Sequence, residues 1–349
     1  MHGLVIRNTG YSYTVKSDAG EVFDCKVKGN FRIRGIRTTN PVAIGDKVTF
    51  RPPTPEGGGH SQWGPSARRS QSDETGRVST PPSGAGGLGL ITAIDDRKNY
   101  IIRKSTNLSK QSHIIAANVD MCFLIVTIKQ PETPLQFIDR FLASAEAYRV
   151  PVTLIFNKID LVDEEWQEYL DGVVNLYETV GYPCRKISAT TGEGVEALRS
   201  ELNGKITLLS GNSGVGKSTL INTLFPHLNL RTSEISDAYE TGKHTTTFSE
   251  MYEIPSPLGE SEGAVGYIID TPGIKGFGTF DMKREEVSHY FKEIFRFSAD
   301  CRFNNCTHTH EPHCAVREAL ERHDIAESRY NSYCSMLEDE KDDKYRPAY

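Results

Sequence analysis

The sequence predicts a multidomain chain: an N-terminal OB-type β-barrel, a central α/β domain around a phosphate-binding loop, and a helical C-terminal unit gathered on a metal site. Three observations carry this reading. Residues 3–50 fall into short, partly alternating runs broken by turn residues, the texture of a small barrel. Between 121 and 269, continuous apolar runs alternate with amphipathic stretches, as expected of parallel strands covered on both faces. Residues 301–314 crowd three of the chain's 7 Cys among several His. The 349 residues suit two or three domains.

The barrel strands are read at Leu4-Val5-Ile6, 11–15, 21–27, 31–36, Lys47-Val48-Thr49-Phe50 and 90–94, separated by Asn8-Thr9-Gly10, Asp18-Ala19-Gly20 and Gly29-Asn30. Short strands with basic and aromatic side chains on one face suit an OB-fold, whose exposed face binds nucleic acid. Residues 1–112 hold 17 Lys+Arg against 9 Asp+Glu, whereas the remainder holds 23 against 37. A basic third on an acidic body points to a polyanionic partner, nucleic acid first, with a merely solvated basic face as the plain alternative. Of the 39 positions from 52 to 90, 9 are Gly, 6 Pro and 6 Ser, too little apolar surface to offset ordering entropy. This stretch is expected to be a disordered insertion ahead of the last barrel strand.

No apolar run approaches the roughly 18 residues of a membrane span. The start, Met1-His2-Gly3-Leu4-Val5-Ile6-Arg7, lacks the basic, apolar and small-residue pattern of a signal peptide. An odd, thinly spread set of Cys argues against a secreted disulfide scaffold and for a reducing cytoplasm.

In the central region, strands are expected at 121–126, 152–156, 206–209 and 267–269. Phe137, Phe141, Leu142 and Ala145 mark an amphipathic helix. Gly211-Asn212-Ser213-Gly214-Val215-Gly216-Lys217-Ser218 matches G-x-x-x-x-G-K-[ST] between a strand and the helix opening at Ser218-Thr219. Glycines let backbone N–H groups turn in on phosphates, and the helix N-terminus adds positive potential. Lys217 would neutralise the β/γ-phosphates while the Ser218 hydroxyl ligates Mg²⁺.

Asn157-Lys158-Ile159-Asp160 follows the strand at 152–156. An Asp carboxylate there can accept from both N1–H and the N2 amino group of guanine, a pairing adenine does not offer. Alone the tetrapeptide could be a turn; beside a phosphate loop and Ser188-Ala189-Thr190 it reads as a guanine site. Asp270-Thr271-Pro272-Gly273 follows the strand at 267–269, where the carboxylate reaches the Mg²⁺ shell and the Gly273 amide can sense a γ-phosphate. Ordinary GTPases run phosphate loop, D-x-x-G, N-K-x-D, S-A. Here N-K-I-D and S-A-T come first, so the GTPase domain is circularly permuted.

Cys301, Cys306 and Cys314, with one imidazole, make a closed tetrahedral zinc site; on spacing alone His308, His310 and His313 compete for the fourth place. Just before it, Val287, Tyr290, Phe291, Ile294 and Phe295 fall on one face at helical spacing, as a docking helix would. Cys25, Cys122, Cys184 and Cys334 read as ordinary core or surface residues.

With this motif order, Gly242-Lys243-His244-Thr245-Thr246-Thr247 and the Cys/His knot, the chain resembles the small-ribosomal-subunit-dependent GTPase A family, RsgA or YjeQ, over essentially its whole length. The resemblance implies an OB-fold RNA-binding domain at 1–104, a permuted GTPase domain at 105–284 and a helical zinc domain at 285–349. It implies a cytoplasmic, monomeric GTP hydrolase, stimulated by the small ribosomal subunit, that binds the subunit and its rRNA late in maturation and couples hydrolysis of GTP to GDP with release. The alternative is an RNA-binding checkpoint module in which hydrolysis only resets binding. The resemblance also favours His308 as the ligand of one structural Zn²⁺, and Mg²⁺ accompanies GTP. One of the three threonines, assigned as Thr246, would ligate Mg²⁺ with Ser218. After D-T-P-G the water-orienting Gln of many GTPases is replaced by Ile274, which has no donor or acceptor. On physics alone His244 is as fairly an idle loop residue as a catalytic one; the resemblance makes it the substitute, beside Lys217 and Thr246. The 52–90 insertion looks longer than the family pattern needs.

Overall fold

The computed structural model describes residues 1–27, 41–53, 87–104, 112–230, 250–254, 266–270 and 282–345. Strands β1 (His2–Asn8), β2 (Tyr13–Ser17), β3 (Val22–Val27), β4 (Lys47–Arg51) and β5 (Gly89–Ile94) close into a barrel in the order β1-β2-β3-β5-β4-β1, with β3 and β5 parallel. The β1–β2 turn is made by short polar residues: Asn8 Oδ1 accepts from Gly10 N at 2.8 Å, and Thr9 Oγ1 from Ser12 N at 3.2 Å. Val5, Tyr13, Val15, Cys25, Val48, Phe50 and Ile91 fill the interior. This is the expected OB-type barrel. The strand expected at 31–36 lies outside the described residues, as does most of the 52–90 insertion; Leu90, at its end, belongs to β5.

Strand β1 does two jobs. Its register shifts between Val5 and Arg7; Val5 lies in the barrel core, while its neighbour Ile6, on the opposite face, joins Ile44, Ile101 and Ala116 in the apolar cluster of the central domain. Next, β6 (Tyr100–Lys104) and β7 (Ser112–Ala117) pair antiparallel in a sheet of their own. The division expected at 104/105 lies between these two paired strands, whose cross-strand pairing no local pattern in the sequence had suggested. Asp46, fully buried, is clamped by Arg97 Nε at 2.6 Å and ties the turn before β4 to the segment that leads into β6.

The central domain follows as β8 (Met121–Val126), α1 (Leu135–Ala147), β9 (Val152–Phe156), α2 (Glu164–Val180), β10 (Cys184–Lys186), α3 (Val195–Leu202), β11 (Ile206–Ser210), α4 (Lys217–Leu224), β12 (Glu250–Ile254) and β13 (Gly266–Asp270). Strands β10-β9-β8-β11-β13 are parallel, and β12 adds antiparallel to β13. Every residue of β8 and β9 is buried, which explains their continuous apolar sequence. Arg7 of β1 pairs with Glu250 of β12, and Lys16 Nζ meets Glu253 Oε2 at 2.6 Å. Barrel and central domain thus share one eleven-stranded sheet.

The tail comprises a 3-10 stretch, Arg284–Tyr290, then α5 (Lys292–Ser298), α6 (Ala315–Glu321) and α7 (Glu327–Tyr345). The single docking helix expected before the Cys knot is broken at Phe291, which is extended (φ −108°, ψ 102°). Val287, Phe291 and Ile294 are buried as expected, but the break turns Phe295 outward, 53% exposed. Arg329 of α7 is buried between Asp139 of α1 (2.8 Å) and Glu293 of α5 (2.6 Å); Tyr177 and Ser332 hydroxyls donate to the Asp139 carboxylate. No described helix is long and apolar enough to cross a membrane.

Candidate active site and metal centre

The phosphate loop runs from the end of β11 to the first turn of α4, at the C-terminal edge of the parallel strands where such folds bind ligands. Two of its glycines are sterically required. Gly216 has φ +93°, and a Cβ there would stand 2.4 Å from Asn157 Nδ2. A Cβ on Gly211 would meet the Ile125 carbonyl oxygen at 2.3 Å. Val215 is fully buried and plugs the loop onto the core; Asn212, Ser218 and Thr219 are half-buried, and Ser213 and Gly214 face solvent. Lys217 Nζ folds back onto the loop, donating to the carbonyls of Gly211 (2.8 Å) and Asn212 (2.7 Å). Burial pushes its pKa down while Asp270, at the end of the neighbouring strand β13, pulls it up. A desolvated ammonium at the N-terminus of a helix is a receptor for a polyanion.

Asn157 joins the three sequence motifs. Its Nδ2 donates to Val215 O at 2.8 Å, and its Oδ1 accepts from Ala189 N at 2.9 Å, so one buried amide ties N-K-I-D to the phosphate loop and to Ser188-Ala189. Lys158 is left-handed (φ 64°) and sends Nζ to Gln130 O at 2.6 Å. Ile159 and Asp160 sit in the 3-10 turn Ile159–Leu161, with Asp160 exposed. Ser188 is buried and caps the next turn by accepting from Thr191 N at 3.1 Å. His244, Thr246 and Gly273 lie outside the described residues, so the loop chemistry expected of them stays an expectation.

Among the C-terminal helices, Cys301, Cys306, His308 and Cys314 bring their ligand atoms within 4.8 Å of one another. Cys301 Sγ lies 3.5 Å from His308 Nδ1 and 3.9 Å from Cys314 Sγ, and Cys314 Sγ is 3.5 Å from Nδ1. Metal–sulfur bonds of about 2.3 Å make a tetrahedron with edges near these lengths. Burial and the neighbouring thiols push the Cys306 thiol up to about 12, so a thiolate cluster here wants a cation. Burial lowers the His308 pKa, favouring the neutral imidazole a metal requires. His310 and His313 are exposed and outside the cluster. Hydroxyls of Tyr330 and Tyr333 hold the carbonyls of His308 (2.7 Å) and Thr307 (2.8 Å), and Glu311 accepts from Thr307 and from two further backbone N–H groups. The loop is therefore shaped from outside the ligand set, and it fits zinc.

Two family descriptions match the chain, "RsgA GTPase" over residues 94–280 and "RsgA N-terminal domain" over residues 2–58. The chain belongs to the RsgA GTPase family. It is accordingly a GTPase. Relatives described as small ribosomal subunit biogenesis GTPase RsgA include those of Bacteroides fragilis, 56% identical over 100% of both chains, and Flavobacterium johnsoniae, 46% identical over 98% of this chain and 94% of its own. Among solved structures, YjeQ from Thermotoga maritima is 33% identical, with a TM-score of 0.66 over 97% of each chain. YloQ, described as a circularly permuted GTPase, shares the fold with a TM-score of 0.65 over 100% of this chain and 96% of that one.

Within this RsgA-family site, sequence reasoning missed two supports. Thr223 Oγ1 donates to Ala189 O at 2.8 Å, pinning α4 to the base-side loop. The segment after β8, residues 127–133, touches both the phosphate loop and Lys158; its position at the C-terminal end of a parallel strand was the one available signal. For the metal centre, Cys306→Ser should lose metal and loosen α5–α7 while lowering basal GTPase much less. Metal content and limited proteolysis read this directly; full zinc occupancy in the variant would count against the ligand set.

Proposed function

We propose that this protein binds the small ribosomal subunit and its rRNA late in maturation and couples GTP hydrolysis to its release, as a cytoplasmic monomer. In this reading residues 211–219 wrap the phosphates, with Lys217 on the β- and γ-phosphates. Ser218 and Thr246 ligate Mg²⁺, Asp270 supports its shell, and Gly273 senses the γ-phosphate. Asp160 accepts from guanine while Asn157, Lys158, Ile159, Ser188 and Ala189 shape the base site; His244 orients the attacking water. Zn²⁺ on Cys301, Cys306, His308 and Cys314 is structural, since four protein ligands leave no open position.

One observation carries the coupling: β12 pairs on one side with β13, whose last residue is Asp270, and on the other with β1 of the barrel. A nucleotide-dependent shift of that strand has a direct path to the barrel, where Lys26, Lys47 and Arg51 are exposed and Tyr11 is 91% exposed. Phosphate contacts by such residues release counterions, so subunit binding should weaken steeply with salt. GTP turnover measured with and without purified small subunits tests the reading; equal rates would sink it. A hydrolysis-deficient variant that still matures subunits would favour the checkpoint alternative.

Asp160→Asn should weaken GTP and GDP binding with the fold intact, by about 1.5–3 kcal/mol for each charged hydrogen bond lost. Calorimetry of the variant, with ATP as the competing ligand for the wild type, checks it. Wild-type affinity in the variant would remove Asp160 from the base site.

A further inference from the structure

We infer that residues 127–133 form a clasp that sets how long a guanine nucleotide stays bound, with Thr133 as a positioning residue that acts through Lys158. The inference rests on the nucleotide site proposed above. The segment leaves the end of β8 and is knotted at its neck. Thr127 N donates to Thr133 Oγ1 at 3.1 Å, Thr133 N donates to Thr127 O at 2.8 Å, and the Thr127 hydroxyl donates to Pro131 O. Both threonines are buried, at 0% and 3% exposure.

From this knot the segment reaches three parts of the site. Gln130 O receives the Lys158 ammonium at 2.6 Å. Pro131 lies against the phosphate loop, since a Cβ on Gly214 would be 3.5 Å from its Cδ, ordinary contact distance. Lys129 Nζ pairs with Asp163 Oδ2 at 2.6 Å, and Asp163 is the residue whose side chain caps α2 by accepting from Trp166 N at 3.3 Å. N-K-I-D is thus held between the clasp on one side and the helix it starts on the other. The Lys158 backbone is left-handed, and its long side chain has many rotamers to lose. A fixed acceptor at Gln130 selects one of them before any base arrives, which lowers the entropy lost on binding. The Thr133 hydroxyl contributes by fixing the neck that places that carbonyl.

Thr133→Val keeps the shape and removes the acceptor. Release of fluorescent GDP and GTP from the full-length variant should each quicken about tenfold, the worth of one well-placed hydrogen bond, while single-turnover hydrolysis at saturating GTP keeps its rate. Thr133→Ser should restore slow release. In a Lys158→Met background, Thr133→Val should add nothing further. Release at the wild-type rate in Thr133→Val, or the same acceleration with Lys158 already removed, overturns the clasp. If Thr133→Val does not fold, Lys129→Met, at a side chain 30% exposed, tests the other anchor and should also speed release. Asp160→Asn separates the two readings: normal affinity there sinks the base site itself, whereas a weakened Asp160→Asn beside an unchanged Thr133→Val and Lys129→Met sinks only the clasp.

Discussion

Arg329→Met is expected to destabilise the junction between the C-terminal helices and the GTPase domain by about 3–5 kcal/mol. The guanidinium is 1% exposed, and its two partners, Asp139 and Glu293, are 0% and 5% exposed on different elements. Burial works against its charge, yet the two carboxylates outweigh that and hold it firmly protonated. Removing it leaves two buried carboxylates facing each other across the space it filled, with Tyr177 and Ser332 the hydroxyls left to serve Asp139. The Phe291 ring, 4.8 Å from the guanidinium carbon, also loses its stacking partner. Adding Glu293→Leu to the variant should recover part of the loss, because one unpaired charge then disappears. Lys292→Ala supplies the contrast: its pair with Glu146 is over a third exposed on the Lys side, so the effect should stay below about 1 kcal/mol. Thermal unfolding and protease resistance of the tail report both. Equal behaviour of the Arg329 and Lys292 variants would show that the buried network does not hold the tail.

His244→Ala should retain GTP binding and lose most subunit-stimulated hydrolysis, by roughly the 10²–10⁴ that a positioned acid–base group supplies. The residue after D-T-P-G is Ile274, which cannot orient a water, so the task passes to another side chain or to RNA. An imidazole titrates near neutral pH and can donate to or accept from a water beside the γ-phosphate. What the described residues contribute is the charge end: the Lys217 ammonium sits on the Gly211 and Asn212 carbonyls and feels the Asp270 charge, and none of this depends on His244. Binding and hydrolysis should therefore part company in this variant. Stimulated turnover at the wild-type rate would assign the water to the ribosome.

The phosphate loop was legible in the sequence because the chemistry tolerates few alternatives. Close backbone approach at Gly211 and Gly216 admits no side chain, and the Lys-Ser pair must open the helix. The Cys/His knot was legible for a similar reason, although spacing alone left three His in contention until His308 proved the buried one. The strands at 121–126 and 152–156 announced themselves by burial on both faces. What stayed hidden depends on partners far away in the chain. Arg329 finds Asp139 across 190 residues, Lys16 finds Glu253 across 237, and neither residue differs locally from a solvated charge. The β6–β7 pairing was hidden too: its apolar residues Ile101, Ile114 and Ala116 are buried against residues from other parts of the chain, such as Ala43 and Ile44. Phe295 was misplaced because helical periodicity assumes a continuous helix, and Phe291 interrupts it.

The shared sheet also bears on association. A strand at the end of a sheet offers unpaired N–H and C=O groups, a template on which another chain can grow. Here β12, which would end the GTPase sheet, is met by β1, and beyond it the strands curl into a barrel closed by the β1–β4 pairing. The opposite border is β10, only 3 residues long, two of them Arg185 and Lys186, whose side chains engage Glu201 and Asp171. Among the described residues, then, one margin of the sheet is sealed and the other is too short and too charged to template an incoming strand. The joint that links the two domains thus also removes, among the described residues, the open edge that β12 would otherwise offer to an incoming strand.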